Sequence, residues 1–490
     1  MYKKQQISFR DILLFPDQPI NIMQNKKNES KAIDRRSFLR KSAIAGAAFT
    51  SIGIEGSKIV QAKTQGNKST KITSYFPFRV IEHSSIDDIL TIQPDYKRMH
   101  QKNTIFSRSA WDPEMGFGDG KGTVASFMAV PHMIPDAIAV GKEKGWGPVE
   151  QALSDAAVFS HNAGTGFSAM GMRNAGPFCD WDVFAHPHTK EKYQFKSPEE
   201  ANKYIKRAVQ FLGASDVGIA PYDQRWIYSH WFNIAPIMGI DIENVKKPIQ
   251  EVETEAKFPF EVKSVIVTVH RMDHESLMTP GYIMNSSTMD GYSKMAEVGA
   301  KVAMFLNSLG YKAIPAGNDT GLSVPTALQA GLGESSRMGL LVHPKFGPAV
   351  RIEKIYTDLE IAPDKPITFG VKEFCKKCMK CADECPSNAI SREIEPTPAP
   401  NNPSISSHPG VTKWYQDNEK CIEQWEKMGY GCGICLAVCP YNKPENWVHD
   451  VAKLAVGMPV GRDIARILDD SFGYGKLDPD KVDKFWNDED

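Results

Sequence analysis

The sequence lacks several features that would assign a function at once. Its 490 residues carry 58 Lys and Arg against 59 Asp and Glu, so it has no basic excess of the kind that nucleic-acid binding requires. No apolar run reaches about 18 residues, so we expect any membrane attachment to depend on another protein. Neither G-x-G-x-x-G after a strand nor G-x-x-x-x-G-K-S/T occurs, which leaves a redox enzyme without a recognisable nucleotide loop.

Cysteine is also scarce, but eight of the nine cysteines stand in two short runs. The runs are Cys375, Cys378, Cys381 and Cys385 followed by Pro386, and Cys421, Cys432, Cys435 and Cys439 followed by Pro440. Soft thiolates on this spacing are typical of two 4Fe–4S clusters, each of which needs four ligands. Because such a pair transfers single electrons, the sequence predicts a redox protein.

The ligand sets follow from ferredoxin geometry, in which the fourth cysteine of each run binds the other cluster. Cluster 1 is predicted on Cys375, Cys378, Cys381 and Cys439, and cluster 2 on Cys385, Cys421, Cys432 and Cys435. Cys421 departs from the compact pattern because ten residues separate it from Cys432. A zinc site or a secreted disulfide framework fits the spacing less well. The remaining Cys179 is expected to be a small buried apolar residue.

The N-terminal region has the pattern of an export signal. Arg35-Arg36-Ser37-Phe38-Leu39 precedes a mild apolar stretch from Ser42 to Ile54, and small residues follow near Val60-Gln61-Ala62. This order predicts a cleaved twin-arginine signal over residues 1–62, which is a receptor-read address rather than an anchor. The alternative is a basic surface helix.

Three further regions are expected after the signal. Residues 63–368 are predicted to form an α/β domain, residues 369–450 a cluster-binding domain, and residues 451–490 a C-terminal segment that packs back on the core. Within the α/β region we predict a helix from the N-cap Ser197 to Leu212 with a capping box closed by Glu200, and strands over 217–220, 262–270 and 311–316. A second, amphipathic helix is predicted over 292–309.

Several local segments resemble the corrinoid-dependent reductive dehalogenases, in particular the branch that acts on tetrachloroethene. The segments are Phe211–Tyr222 (FLGASDVGIAPY), Gly317–Pro325 (GNDTGLSVP), Ala330–Glu334 (AGLGE), Tyr356–Leu359 (YTDL) and Ala362–Pro366 (APDKP). The order of signal, α/β region and double cysteine run is also that of the family. The resemblance covers nearly the whole chain after residue 190.

The resemblance implies a nitroreductase-like, cobamide-binding α/β (α+β) core followed by a ferredoxin-like domain with two 4Fe–4S clusters. It further implies a base-off cobamide, in which no protein side chain ligates the lower face of the cobalt. The sequence agrees, since it lacks the D-x-H-x-x-G pattern that supplies an axial His in other cobamide enzymes. The nearest string, Asp273-His274-Glu275, has the wrong spacing.

Three site residues are implied by the resemblance. Tyr292 falls at the position of the proton donor, Arg351 at the position of its cationic partner, and Asn318 at the position of a pocket amide; Tyr292 and Asn318 would also contact the cofactor. Judged without the family, Tyr292 could be a packing residue at a helix start, Arg351 a surface charge, and Asn318 a turn former. Trp425 could either line the substrate pocket or belong to the core.

The function implied is reductive dehalogenation, in which C–H replaces a carbon–halogen bond of a small chlorinated alkane or alkene during organohalide respiration. The expected partners are the organohalide, a small integral-membrane anchor protein and a respiratory electron donor, at the outer face of the cytoplasmic membrane. Two alternatives stay open: an iron–sulfur electron-transfer subunit of another exported oxidoreductase, and an enzyme similar to epoxyqueuosine reductase.

Overall fold

The computed structural model describes residues 72–75, 78–112, 115, 144–158, 191–232, 253–442 and 477–487. The chain divides into residues 1–69 and residues 70–490. The first unit lies outside the described residues, and so do the predicted twin-arginine segment and Cys179. Among the helices of the described part, none is long and apolar enough to cross a bilayer.

The described residues form eleven strands and eleven α-helices. The strands are β1 (Ile72–Tyr75), β2 (Phe78–Glu82), β3 (Asp216–Pro221), β4 (His230–Phe232), β5 (Glu253–Glu255), β6 (Ser264–Arg271), β7 (Ala313–Pro315), β8 (Glu334–Ser335), β9 (Leu341–Val342), β10 (Val350–Thr357) and β11 (Ile367–Thr368). The helices are α1 (Ile105–Trp111), α2 (Pro148–Ala157), α3 (Pro198–Phe211), α4 (His274–Leu277), α5 (Tyr282–Ser308), α6 (Ser323–Gln329), α7 (Val371–Cys378), α8 (Lys380–Asp383), α9 (Asn418–Met428), α10 (Ile434–Ala437) and α11 (Asp480–Asn487).

The largest sheet has four antiparallel strands in the order β3-β6-β10-β7. Successive side chains of a strand point to opposite faces. Strands β6 and β10 therefore contribute side chains to two hydrophobic clusters, one on each face of the sheet. Val267 and Ile352 pack on the side of α6, whereas Ile266 and Ile355 pack against α3 and α5. Three smaller antiparallel sheets, β1-β2-β11, β4-β5 and β8-β9, complete the set.

Most elements predicted from local patterns are confirmed. Helix α3 has Ser197 as its N-cap, and the three predicted strands appear as β3, β6 and β7 with ends shifted by up to two residues. The predicted capping box is wrong in one detail. Ser197 Oγ accepts from the Glu200 N–H, but the Glu200 carboxylate accepts from the N–H of Lys196 instead of that of the N-cap.

The predicted start of the long helix is wrong. Helix α5 begins at Tyr282 rather than near Tyr292, so Tyr292 lies in the middle of the helix. The first two turns are buried on every side and include the polar residues Asn285, Ser286 and Thr288. Because this stretch has no solvent-facing side, it shows no amphipathic period, and the sequence pattern begins only where one side reaches solvent.

The cysteine-bearing segments share a hydrophobic core with the α/β region. Phe374 of α7 and Val438 after α10 lie in the same buried cluster as Leu277 of α4 and Met284 of α5. The described part of the predicted C-terminal segment contacts the start of α2: Trp486 Nε1 donates to Glu150 at 2.9 Å.

Glu334 joins the α/β region to the first cluster-binding helix. Its buried carboxylate accepts the backbone N–H groups of residues 369, 370, 371 and 372 at 2.8–3.1 Å, where α7 begins. Burial raises the pKa of Glu334, and these four donors oppose the shift. A carboxylate at a helix N-terminus also interacts favourably with the helix dipole. Glu334 therefore holds the segment that presents Cys375 and Cys378.

We expect Glu334→Ala to lower the free energy of unfolding by about 3 kcal/mol, because it leaves buried N–H donors without their charged acceptor. Thermal unfolding of the iron-loaded protein measures the loss. Glu360→Ala, at an exposed position, is the matched control. Equal melting temperatures for the two variants would contradict the bridging role of Glu334.

Candidate active site

The structure brings Tyr292, Asn318 and Arg351 together from three different elements. Tyr292 lies in α5, Asn318 in the loop after β7, and Arg351 in β10. Asn318 Nδ2 donates to Tyr292 Oη at 2.9 Å, and the guanidinium carbon of Arg351 lies 4.8 Å from the centre of the Tyr292 ring. The site thus consists of a phenol that accepts from an amide and lies in contact with a cation.

Arg351 is not an ordinary surface charge. It is half-buried, Nη2 donates to Thr288 Oγ1 at 3.2 Å one turn before Tyr292, and Nε is buried without a hydrogen-bond partner. Within the described part of the chain, no carboxylate lies within ion-pair distance of it. An unpaired guanidinium beside a phenol leaves its charge to act on the ring and on whatever binds there.

Gly291 makes room for this arrangement. A Cβ at Gly291 would lie 2.7 Å from Arg351 Cγ, so only glycine lets the Arg351 stem pass beside α5. The register places Arg351 opposite His270 of β6, on the face of the sheet that contacts α5.

We expect Gly291→Ala to lower the rate of the catalysed reaction by about 100-fold, because displacing a catalytic group by about 1 Å can cost that much. Helix stability should change little, since alanine is a better helix former than glycine. Halide release and thermal unfolding measure the two effects. Met304→Ala, at an exposed position of the same helix, should leave the rate unchanged. Unchanged activity in Gly291→Ala would show that the position of Arg351 is unimportant.

A fully buried lysine, Lys354, forms hydrogen bonds with the loop that carries Asn318. Lys354 Nζ donates to the Gly317 carbonyl at 2.7 Å and to Ser323 Oγ at 2.6 Å. Burial lowers the pKa of Lys354, and the neighbouring Asp319 opposes that shift. Asp319 accepts from Gln101 Nε2 at 2.8 Å, and Thr320 adopts a left-handed conformation with φ +73°. The loop is therefore built to hold one conformation.

Sequence reasoning missed Lys354, Asp319 and Gln101. A signal for Lys354 was available: Arg351, Glu353 and Lys354 interrupt an otherwise apolar strand pattern. Buried charges in a strand need partners, and such residues cluster at functional sites.

His270 of β6 lies on the same face of the sheet as Arg351. Burial lowers the pKa of His270 to about 3, so its ring is neutral, and its Nε2 lies 2.8 Å from Thr268 Oγ1.

Thiols of the two cysteine runs lie close enough to act on one another electrostatically, and the two ligand sets stay a prediction. Apart from burial, the thiols that raise the pKa of Cys375 are Cys439 and Cys378, and those that raise the pKa of Cys381 are Cys375 and Cys378. The pKa of Cys421 rises to about 11 through burial and then Cys385. Burial raises the pKa of Cys435, and four neighbouring thiols raise it further: Cys432, Cys381, Cys421 and Cys385.

None of the eight cysteines forms a disulfide. Within the described ranges, no three His, Cys, Asp or Glu side chains are grouped closely enough to hold one metal ion.

Trp425, the other residue singled out from the sequence, lies in α9 one turn after Cys421. It is partly buried against the core that contains the cysteines, and its ring centre is 5.5 Å from that of Phe106 in α1. Its role as a wall of the substrate pocket stays a prediction.

Comparison with known proteins agrees with this geometry. Residues 374–442 match the family of 4Fe–4S double cluster binding domains, and this range contains all eight cysteines. A tetrachloroethene reductive dehalogenase of Dehalobacter restrictus is 44% identical over 339 aligned residues, which are 62% of this chain and 62% of that protein. One of Sulfurospirillum multivorans is 37% identical over 57% of this chain and 58% of its own length.

Over the aligned residues, the chain is similar to tetrachloroethene reductive dehalogenases. It aligns with less than two thirds of the length of these relatives. The fold agrees as well: a solved reductive dehalogenase, whose structure suggests a mechanism for B12-dependent dehalogenation, superposes with a TM-score of 0.58 at 23% identity, over 84% of this chain and 50% of that one. The predicted mixed fold with a C-terminal double-cluster domain is confirmed.

Proposed function

We propose that this reductive dehalogenase homologue replaces a carbon–halogen bond of a small chlorinated alkane or alkene by C–H, in organohalide respiration. The contact of Tyr292 with Asn318 and Arg351 is the observation that carries the proposal, because it supplies a positioned acid. The net reaction consumes two electrons and one proton and releases halide. The relatives named for tetrachloroethene support the substrate class.

The chemistry at the halogen calls for a strong reductant that no side chain supplies. A base-off cobamide, when bound, would supply it as reduced cobalt, and Tyr292 and Asn318 would hold it. Asn318 is exposed and Tyr292 partly exposed, so their polar ends are open to a bound group. The protein then contributes orientation, electrons through the clusters and a proton.

Tyr292 is the proton donor in this proposal. Because Asn318 donates its N–H to Tyr292 Oη, the phenol proton is not used in that bond. Loss of the proton leaves a phenolate, which both the Asn318 N–H and the Arg351 cation stabilise. Lys354 and Asp319 keep the Asn318 loop in place while the charge develops.

We further propose export by the twin-arginine route and docking at the outer face of the cytoplasmic membrane through a small integral-membrane anchor. The motif at Arg35-Arg36 supports export, and the absence of a long apolar run in the sequence supports a separate anchor. A respiratory electron donor would deliver electrons to the clusters.

Metal analysis combined with a dehalogenation assay tests the function. We expect about one cobalt per eight irons, and halide release from chlorinated ethenes or chloroalkanes with reduced methyl viologen as donor. A panel with chlorophenols identifies the substrate class. A fully loaded protein that contains iron without cobalt and releases no halide would instead be an electron-transfer subunit.

A further inference from the structure

Arg337 is a buried cation that the proposed reaction does not use. It lies between β8 and β9, and only 1% of its surface is exposed. Its guanidinium donates four hydrogen bonds, all to backbone carbonyls: Nε and Nη2 to Cys375 at 3.1 and 2.8 Å, and Nη1 to Ser391 at 2.8 Å and Glu393 at 2.6 Å. Its carbon also lies 4.8 Å from the centre of the Trp414 ring.

These contacts satisfy the N–H groups but leave the charge unbalanced. Within the described ranges, no carboxylate lies within ion-pair distance of Arg337. Asp383 is the acid that acts on it electrostatically, and Asp383 is already paired with Arg392 at 2.8 Å. An arginine stays protonated in a protein, and burying it without a counter-charge is unfavourable. A different anion must therefore lie nearby.

The anion is supplied by the first cysteine run. The thiols that act on Arg337 are Cys375, Cys381 and Cys378, three of the four predicted ligands of cluster 1. A 4Fe–4S centre with four thiolates is an anion in both of its oxidation states and gains one more negative charge on reduction. The cation lies on the backbone of one of these ligands, at the Cys375 carbonyl.

We infer that Arg337 is the fixed counter-charge of cluster 1 and raises the reduction potential of this cluster above that of cluster 2. The inference rests on the two clusters of the proposed function. A buried positive charge stabilises the more negative, reduced state, because attraction is strong at low dielectric. Asp417, the acid among the charged neighbours of the cluster 2 ligand Cys421, is paired with Lys420 at 3.1 Å, so its charge is balanced where that of Arg337 is not.

The consequence is that the first electron rests on cluster 1. Dehalogenation needs two electrons and each cluster transfers one at a time. A higher potential at one cluster lets the protein hold an electron there while the second arrives.

Redox titration of the loaded protein, followed by the electron paramagnetic resonance of the reduced clusters, tests the inference. In Arg337→Gln we expect the ratio of reduced to oxidised cluster 1 to fall about tenfold at a fixed potential, a shift of about 59 mV for a one-electron couple. Arg337→Lys keeps the charge and should stay close to the unmodified protein. Arg207→Gln is the control, because Arg207 is exposed in α3. All of these variants keep Lys380, another buried cation, which lies within the first cysteine run. Unchanged potentials in an Arg337→Gln protein with full iron would overturn the inference.

A second measurement does not depend on the folding of that variant. Cys421→Ser changes or removes only the signal of cluster 2, so the signal that persists belongs to cluster 1. In the unmodified protein, this signal should appear first on stepwise reduction; if it appears second, the inference is wrong. Because only iron is observed, a chain with full iron but no cobalt would refute the proposed function and leave this test valid.

Discussion

Replacing Tyr292 by Phe should abolish halide release while iron and cobalt stay bound. Removing a general acid lowers a rate by about a hundredfold to ten-thousandfold. The change deletes one oxygen and keeps the ring, so the contact with the Arg351 guanidinium at 4.8 Å is retained. The lost group is the hydroxyl that accepts from Asn318. The assay measures halide release with reduced methyl viologen, together with the metal content of the same sample.

The matched control for this variant is Tyr204→Phe in α3, where the tyrosine is 56% exposed. It should release halide as fast as the unmodified protein. If Tyr292→Phe kept most of its activity with full cobalt, another group would donate the proton. Loss of cobalt in Tyr292→Phe would assign Tyr292 to cofactor binding rather than to proton transfer.

Replacing Cys421 by Ala should remove cluster 2 and lower the iron content from about eight to about four per chain. Cys421 is the predicted ligand on the stretched side of the second run, and it lies close enough to Cys385 and Cys432 to interact with them electrostatically. Without its fourth thiolate the cluster has an open site, and electrons no longer pass through it. Halide release should therefore stop as well.

Cys179→Ala is the control for this experiment, because Cys179 belongs to neither run. It should keep about eight irons per chain. Full iron in Cys421→Ala would mean that another side chain completes cluster 2, and the ligand set would need revision.

Local sequence signals were sufficient for part of the fold. Ser197 followed by Pro198 marked the start of α3, because a cap and a preset φ act within one turn. The same reasoning failed for α5, whose first turns are buried on every side. Burial there comes from neighbours distant in sequence, such as Ser154, which accepts from Asn285 Nδ2 at 2.7 Å. No pattern within the helix reports such a neighbour.

The candidate site, like the fold, was predicted only in part. Family resemblance placed Tyr292, Asn318 and Arg351 in one site, but it gave no reason why they meet. The structure supplies it: Gly291 admits the Arg351 stem, and Lys354 holds the loop of Asn318. These contacts join residues 37 to 60 positions apart in the sequence, and only the register of β10 brings them together.

By itself, the sequence determined the chemistry of the electron path. The spacing of eight thiols within two short segments predicts two 4Fe–4S clusters, because ligands a few residues apart are held close by local backbone geometry. Only the tertiary structure decided which charged side chains act on the clusters and on Tyr292. Alternation along β10 directs Arg351 toward Tyr292 and Lys354 toward the opposite face of the sheet. Folding also places Arg337 against a carbonyl 38 residues away. Electrostatic interactions depend on distance through space and on burial, and neither quantity is set by position along the chain.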